Sequence, residues 1–290
     1  MSSYNLIFIS THQDNFHIYK LINSIRPNIK NIKTLLLIVS QECEIDNNSN
    51  NELLDIISVE SLKISLSKAR NIALDYLLQN RISSEYIMFP DDDTSFDQIF
   101  FENFSTILNS NKNYITPIYK EGTKDLYFGR KTKDNKIITP RDHQLIGSPN
   151  QIILYDYLKS DIQFDEKLGV GAQYGSSEDF DLYLKLYQKG NQFFFTNKLY
   201  NYHPAKVAAY KNVNLNHIVK RFENYSSGFA YIIFKYKLFK LIPEYLFRTF
   251  VAFIFFGLKL DFKLSRAYLT QFFIRIKLLS YFLFNKKVYE

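Results

Sequence analysis

At 290 residues, with 46% hydrophobic and 22% charged residues, the chain has a globular composition and is long enough for one large domain plus an appendage. Its single cysteine, Cys43, excludes an internal disulfide framework and a cysteine-based zinc site, and suits a reducing compartment. The net charge of +7 is unevenly spread: residues 205–290 hold fifteen Lys/Arg against four Asp/Glu, about +11, which leaves the preceding part near −4.

The opening MSSYNLIFIS has neither a basic start nor a long apolar run, so no signal peptide is expected and the protein is expected in the cytoplasm. Residues 4–10 predict a buried strand, with a turn over Thr11–Asn15 and a short helix over 16–25 that ends before Pro27. TLLLIVS (34–40) predicts a second apolar strand, and EIDNNSNN (44–51) a polar loop. Residues 64–80 predict a helix with Ser67 as candidate cap and Ile72, Leu74, Leu77 and Leu78 on one face. SEYIMF (84–89) predicts a strand halted by Pro90. Strands alternating with helices at this spacing imply an α/β, mainly parallel sheet, which binds ligands beyond the carboxyl ends of its strands. Further on, NYITPIY predicts one strand, RKTKDNKIITPRD (130–142) an exposed mobile loop, and QIILYDYL (151–158) a new ordered element. A Gly-rich loop (169–177), a helix over 178–189 and a strand-like QFFFTNKLYNYH (192–203) follow, and helix-forming basic and aromatic residues dominate from about 213.

Three side-chain clusters carry potential chemistry. Asp91, Asp92 and Asp93 follow directly on an apolar strand, where adjacent carboxylates repel unless a cation neutralises them, and hard oxygen ligands suit Mg²⁺ or Mn²⁺. A solvated turn is the alternative. Glu178, Asp179 and Asp181 open a helix, where Ser176 with Asp179 fits a capping box and Asp181 with Lys185 an i,i+4 pair. The other reading is a carboxylate base at a loop-to-helix junction. His203 ends an aromatic strand and becomes a ligand only if it meets the acids in space.

The order SLSKARNIAL, YIMFPDDD and FDEKLGVGAQYGSSEDFDLYLKLYQKGNQFFFTNKLYNYHPAK, over roughly residues 4–206, resembles family 2 glycosyltransferases of bacterial polysaccharide assembly. The resemblance implies a GT-A fold, a Rossmann-like mixed sheet flanked by helices, with nucleotide-sugar binding in about 1–110 and an acceptor side in about 111–212. Residues 213–290 would then form a helical, basic-aromatic extension. It further implies inverting, metal-dependent transfer from a nucleotide sugar, usually UDP-linked, to a hydroxyl of a glycan or lipid-linked glycan, a hexosyltransferase-type activity. By position, Asp91 and Asp93 resemble the DxD pair, with Asp93 on the metal and Asp91, beside Asp92, nearer the ribose or sugar. Asp179 resembles the base, with Glu178 its neighbour. Thr11 resembles the residue bordering the nucleoside, Arg70 the basic residue facing the nucleotide, and His203 the one completing the metal or diphosphate site. Where the family often has Asp-Asp-Gly-Ser, this chain has Ser40-Gln41-Glu42-Cys43, which leaves Glu42 for the base-contacting role.

In the tail, the longest uninterrupted apolar piece, at Phe250–Leu258, is about ten residues, shorter than the roughly 18–20 a bilayer span needs. Basic residues beside Phe, Leu and Tyr predict helices lying on an anionic membrane surface, at the inner face of the cell membrane. A helical lid or an oligomer contact is the alternative. A non-catalytic nucleotide-sugar-binding scaffold would keep the fold but lack the DxD or the base, and both are present. Nucleic acid is not an expected partner, because the basic residues are interleaved with apolar ones rather than lining a polar groove.

Overall fold

The computed structural model describes residues 3–12, 15–42, 45, 51–158, 163–204, 210 and 212–289. Most of the loop expected at 44–51 lies outside the described residues. The chain divides into two compact units, one of residues 1–165 and 182–205, the other of 166–181 and 206–290.

The first unit is built on β1 (Ser3–His12), β2 (Thr34–Gln41), β3 (Leu54–Ser61) and β4 (Ser83–Met88), all parallel, in the order β3-β2-β1-β4. β1 and β2 are near-continuous apolar runs because both faces are covered. On one face Leu6, Phe8, Leu36 and Ile38 pack with α1 (Asn15–Ile25) and the Phe100, Phe101 and Phe104 rings of α3 (Gln98–Phe104). α2 (Leu66–Gln79) also packs on β1 and β2. The sheet then continues antiparallel through β8 (Gln151–Leu154) to β5 (Asn113–Ile115), β9 (Phe193–Phe195) and β7 (Ile137–Ile138), eight strands in all. A separate two-stranded parallel ribbon joins β6 (Ile118–Lys120) to β10 (Asn201–His203).

Several expectations need correction. Thr11 is not in a turn: β1 runs through His12, because Thr11 and His12 stay in register with Val39 and Ser40. β3 is an edge strand with a half-exposed face, so it lacks the apolar run that marks its neighbours. Ser65, not Ser67, caps α2, its Oγ accepting from Lys68 N at 3.4 Å, while Ser67 is buried in the first turn. Leu74 and Leu77 face inward as expected, but Leu78 is exposed. NYITPIY is two strands in different sheets, separated at Thr116–Pro117. The stretch 130–142 is anchored: β7 and a 3-10 turn (Pro140–Leu145) bury Asp142, which accepts from Thr139 N (3.1 Å), Thr139 Oγ1 (3.0 Å), Arg130 Nη2 (3.2 Å) and Lys136 Nζ.

The second unit contains α5 (Leu215–Lys235), α6 (Ile242–Leu258) and α7 (Phe262–Phe284), with α7 packed on both others. A boundary at residue 212 does not describe it, because 166–181 is seated on α5. Tyr174 stacks on Tyr231 at 4.7 Å, and Ser176 Oγ donates to the Tyr225 carbonyl at 3.1 Å. A Cβ on Gly228 would stand 2.2 Å from Ser176 O, so only glycine permits that approach. Helix α4 (Glu178–Gln188) begins in this segment. Ser176 therefore serves α5 rather than a capping box. Asp181 is fully buried, 2.6 Å from Lys235 Nζ and 2.8 Å from Tyr236 Oη, while Lys185, its expected partner, donates to Gln163 O at 2.6 Å. The run Phe239–Leu258 is helical throughout and long and apolar enough, by length and composition, to cross a membrane. Counting only uninterrupted apolar residues missed this, because isolated basic residues break the run without making it polar on average.

Burial works against the ionised Asp142, but its hydrogen bonds from Lys136 and Thr139 prevail and hold its pKa below the ordinary carboxylate value. A depressed folded pKa gives stability that is present above the unfolded value of about 3.9 and lost as pH falls through the lower folded value. Asp142→Asn is expected to cost about 1–3 kcal/mol at neutral pH. The gap between the melting temperatures of variant and wild type should begin to narrow below about pH 4 and close only beneath the lower folded pKa.

Candidate active site

β4 ends in the buried Tyr86–Met88, and Phe89 and Pro90 lead into a turn in which Thr94 N donates to Asp91 O at 3.0 Å. Ser95 then forms an antiparallel bridge with Tyr202, each backbone N–H donating to the other's carbonyl at 2.9 Å. Because β10 is also paired to β6, this bridge fixes His203 beside the carboxylates. His203 Nε2 is 3.0 Å from Asp93 Oδ1 and 3.9 Å from Asp91 Oδ2. The ring of His203 is buried, stacks on Tyr127 at a centroid distance of 4.4 Å, and has Nδ1 3.3 Å from Pro204 O. With Nδ1–H donating to that carbonyl, Nε2 points at the acids: protonated, it donates to Asp93, and deprotonated, its lone pair is free to ligate a cation in their midst. Burial pulls the His203 pKa down, but the hydrogen bond and charge of Asp93, then Pro204 O and the charge of Asp91, raise it above the ordinary value.

Arg70 comes from α2 and is only 1% exposed. Its guanidinium lies against the edge-to-face pair of Phe89 and Phe164, 5.8 and 5.3 Å from their centroids, with Nη2 3.5 Å from Asp91 Oδ1. The planar ion tolerates this aromatic surround because it is weakly hydrated and is attracted to aromatic rings.

Of the residues singled out in the sequence, the structure thus brings together Asp91, Asp93, His203 and Arg70. Asp92 is half-buried in the same turn. Thr11 and Glu42 stand at the carboxyl ends of the adjacent strands β1 and β2, on the sheet edge where β4 delivers Asp91. Glu42 is exposed with a φ of 62°. Glu178 and Asp179 belong to the second unit; Glu178 is buried, and Asp179 Oδ1 accepts from Phe180 N at 2.7 Å. The sequence gives no sign of Tyr127, the Ser95–Tyr202 bridge or the Phe89–Phe164 ring pair at the site. Only the Phe89-Pro90 strand end carries a local signal.

Asp91, Asp93 and His203 each offer a ligand atom within 4.8 Å of the others. Two carboxylates and an imidazole are a donor set that fits a divalent cation such as Mn²⁺, with Mg²⁺ favouring the oxygens.

No protein-family model matches the chain, and no curated protein does. Solved structures that resemble it include S. aureus TarS at 18% identity and a TM-score of 0.47, over 77% of this chain and 39% of that one. TarS 1–349 in complex with UDP aligns at 18% identity and 0.48, over 78% of this chain and 64% of that one. TarS 1–349 alone aligns at 14% identity and 0.49, over 96% and 91%. The chain therefore spans well under half the length of the longest of these.

Asp93→Asn and His203→Ala are each expected to weaken Mn²⁺ binding at least about tenfold by titration calorimetry. Far-UV circular dichroism should show that both variants keep the fold.

Proposed function

We propose that the chain is an inverting, metal-dependent glycosyltransferase of the GT-A, family 2 type. It would move a sugar from a nucleotide sugar, in the first instance a UDP-sugar, to a hydroxyl of a glycan or lipid-linked glycan. The observation that carries this reading is the meeting of Asp91, Asp93 and His203 at the carboxyl end of β4, with the buried Arg70 behind them. Such an edge of a parallel sheet is where nucleotides bind.

In the proposed reaction a bond forms between the acceptor oxygen and the anomeric carbon as the bond from that carbon to the phosphate oxygen breaks. Mn²⁺ or Mg²⁺ held by Asp91, Asp93 and His203 would supply positive charge to the departing nucleoside diphosphate. Arg70, permanently charged and held against two rings, orients Asp91 and adds to that positive field. Asp92 would lie toward the donor sugar, and Thr11 and Glu42 along the nucleoside. The acceptor hydroxyl has a high pKa and needs a carboxylate to take its proton as the new bond forms. We assign that role to Asp179, with Glu178 as its neighbour.

The decisive experiment measures nucleotide binding and turnover separately. UDP is expected to raise the melting temperature more with Mn²⁺ present than without it. Asp179→Asn should keep that shift and lose about 10²–10⁴ in nucleotide release from a UDP-sugar with acceptor present. If Glu178→Gln is inactive and Asp179→Asn is not, the base is the other carboxylate. If UDP and Mn²⁺ bind but no sugar is transferred, the chain is a nucleotide-sugar-binding scaffold.

A further inference from the structure

We propose that the turn joining α6 to α7 inserts into a bilayer carrying anionic lipids and anchors the second unit there. The two helices bury little that is large and apolar. In α6 only Tyr245 and Thr249 are buried, and in α7 only Ser265, Ala267, Gln271 and Phe282. Phe247, Phe250, Ile254, Phe255, Phe273 and Phe284 face outward instead. Apart from Tyr245 and Phe282 the buried residues are small or polar while most large apolar ones face outward, the reverse of a helix pair built for water.

The turn itself is the sharpest departure. Leu258 is 80% exposed, Leu260 73% and Phe262 69%. Two backbone hydrogen bonds close the end of α6, Leu260 N to Gly257 O at 3.0 Å and Asp261 N to Phe256 O at 2.9 Å, the pattern of a Schellman motif. In that motif the residue at the position of Leu260 takes a left-handed conformation and is usually glycine. Here it is leucine, with a φ of 60°. Leu260 therefore carries a backbone penalty and a solvation penalty together, and at 73% exposure packing within the chain relieves neither. A partner that takes up the side chain would relieve the second.

Charge selects an anionic membrane as that partner. Arg248, Lys259, Arg266, Lys277, Lys286 and Lys287 are exposed on this hairpin and its end, against Glu244 and Asp261 among the described acidic residues of the same stretch. Glu244 is paired with Arg248, and Asp261 caps Leu264 N. Arg275 is not part of the surface: it lies over the Tyr245 ring at 4.2 Å. Lys259 lies over the Phe255 ring at 4.4 Å, its stem on apolar surface and its ammonium able to reach headgroups. Lys259 and Arg266 stand beside the apolar tip, and Arg248 and Lys277 farther along the two helices, which is the composition of an interfacial anchor.

The test uses the full chain and vesicles of phosphatidylcholine, alone or mixed with phosphatidylglycerol. The protein is expected to sediment with the mixed vesicles and more weakly with the neutral ones. Leu260→Gly should lower the partition coefficient at least about tenfold while raising the melting temperature, because glycine suits the left-handed position. A residue serving only the fold would not show that opposite movement. The chain has no tryptophan, so Phe262→Trp places a single reporter at the tip. Its fluorescence should shift to the blue and be quenched by brominated lipid. The proposal is overturned if the protein does not sediment, if Leu260→Gly melts lower or partitions unchanged, or if the indole of the Phe262→Trp variant is not quenched. It is equally overturned if light scattering shows a stable oligomer in the absence of lipid that Leu260→Gly dissociates, since the tip would then belong to a second copy.

Discussion

The candidate site rests on two backbone hydrogen bonds between Ser95 and Tyr202. Three neighbouring carboxylates after a strand have no reason to stay together, and a histidine more than a hundred residues later has no local reason to face them. The bridge supplies both. It ties the chain just after Asp93 to the residue just before His203, and β6 holds β10 from its other side. Side-chain geometry then follows from alternation along the strand: Tyr202 turns to Asp97, 3.0 Å away, while His203 turns to Asp93.

How much of this was legible depends on the range of each interaction. β1, β2 and β4 announce themselves because burial on both faces demands continuous apolar residues, whereas β3 at the sheet edge does not. Asp91, Asp93 and His203 stand out as residue types, but only pairing between distant segments makes them a cluster. Arg70 could be marked as a cation, though not as one lying against the rings at 89 and 164. Local grammar misled at Asp181, where Lys185 stands at the right helical spacing, because burial puts a premium on the partner that can enter the same pocket. It misled again at 130–142, where a polar, basic stretch reads as solvated loop until Asp142 is seen accepting four hydrogen bonds.

The two units solve opposite problems. The first gathers polar groups at one sheet edge and covers its apolar strands with helices. The second buries the large apolar residues of α5 but leaves most of those of α6 and α7 outside. Polar contacts tie these two helices inward: Gln271 Nε2 donates to Ser226 Oγ at 3.2 Å, Tyr245 Oη to Ser226 O at 2.8 Å, and Ser265 Oγ to Phe253 O at 3.0 Å. Burial carries the Tyr245 hydroxyl up to about 12, so it stays a neutral donor across the physiological range.

The pairing of Asp181 with Lys235 has a consequence for synthesis. The partners are 54 residues apart, and the chain between them includes β9, β10 and His203. At about 5–20 residues per second, Asp181 leaves the ribosome roughly 3–11 s before Lys235 does. Throughout that interval a carboxylate destined for a fully buried position has neither Lys235 nor Tyr236 to meet. The start of α4 must therefore remain hydrated while the strands after it are already available to the sheet. Until Lys235 and Tyr236 have been made, residues 166–181 lack the part of α5 that pairs with Asp181.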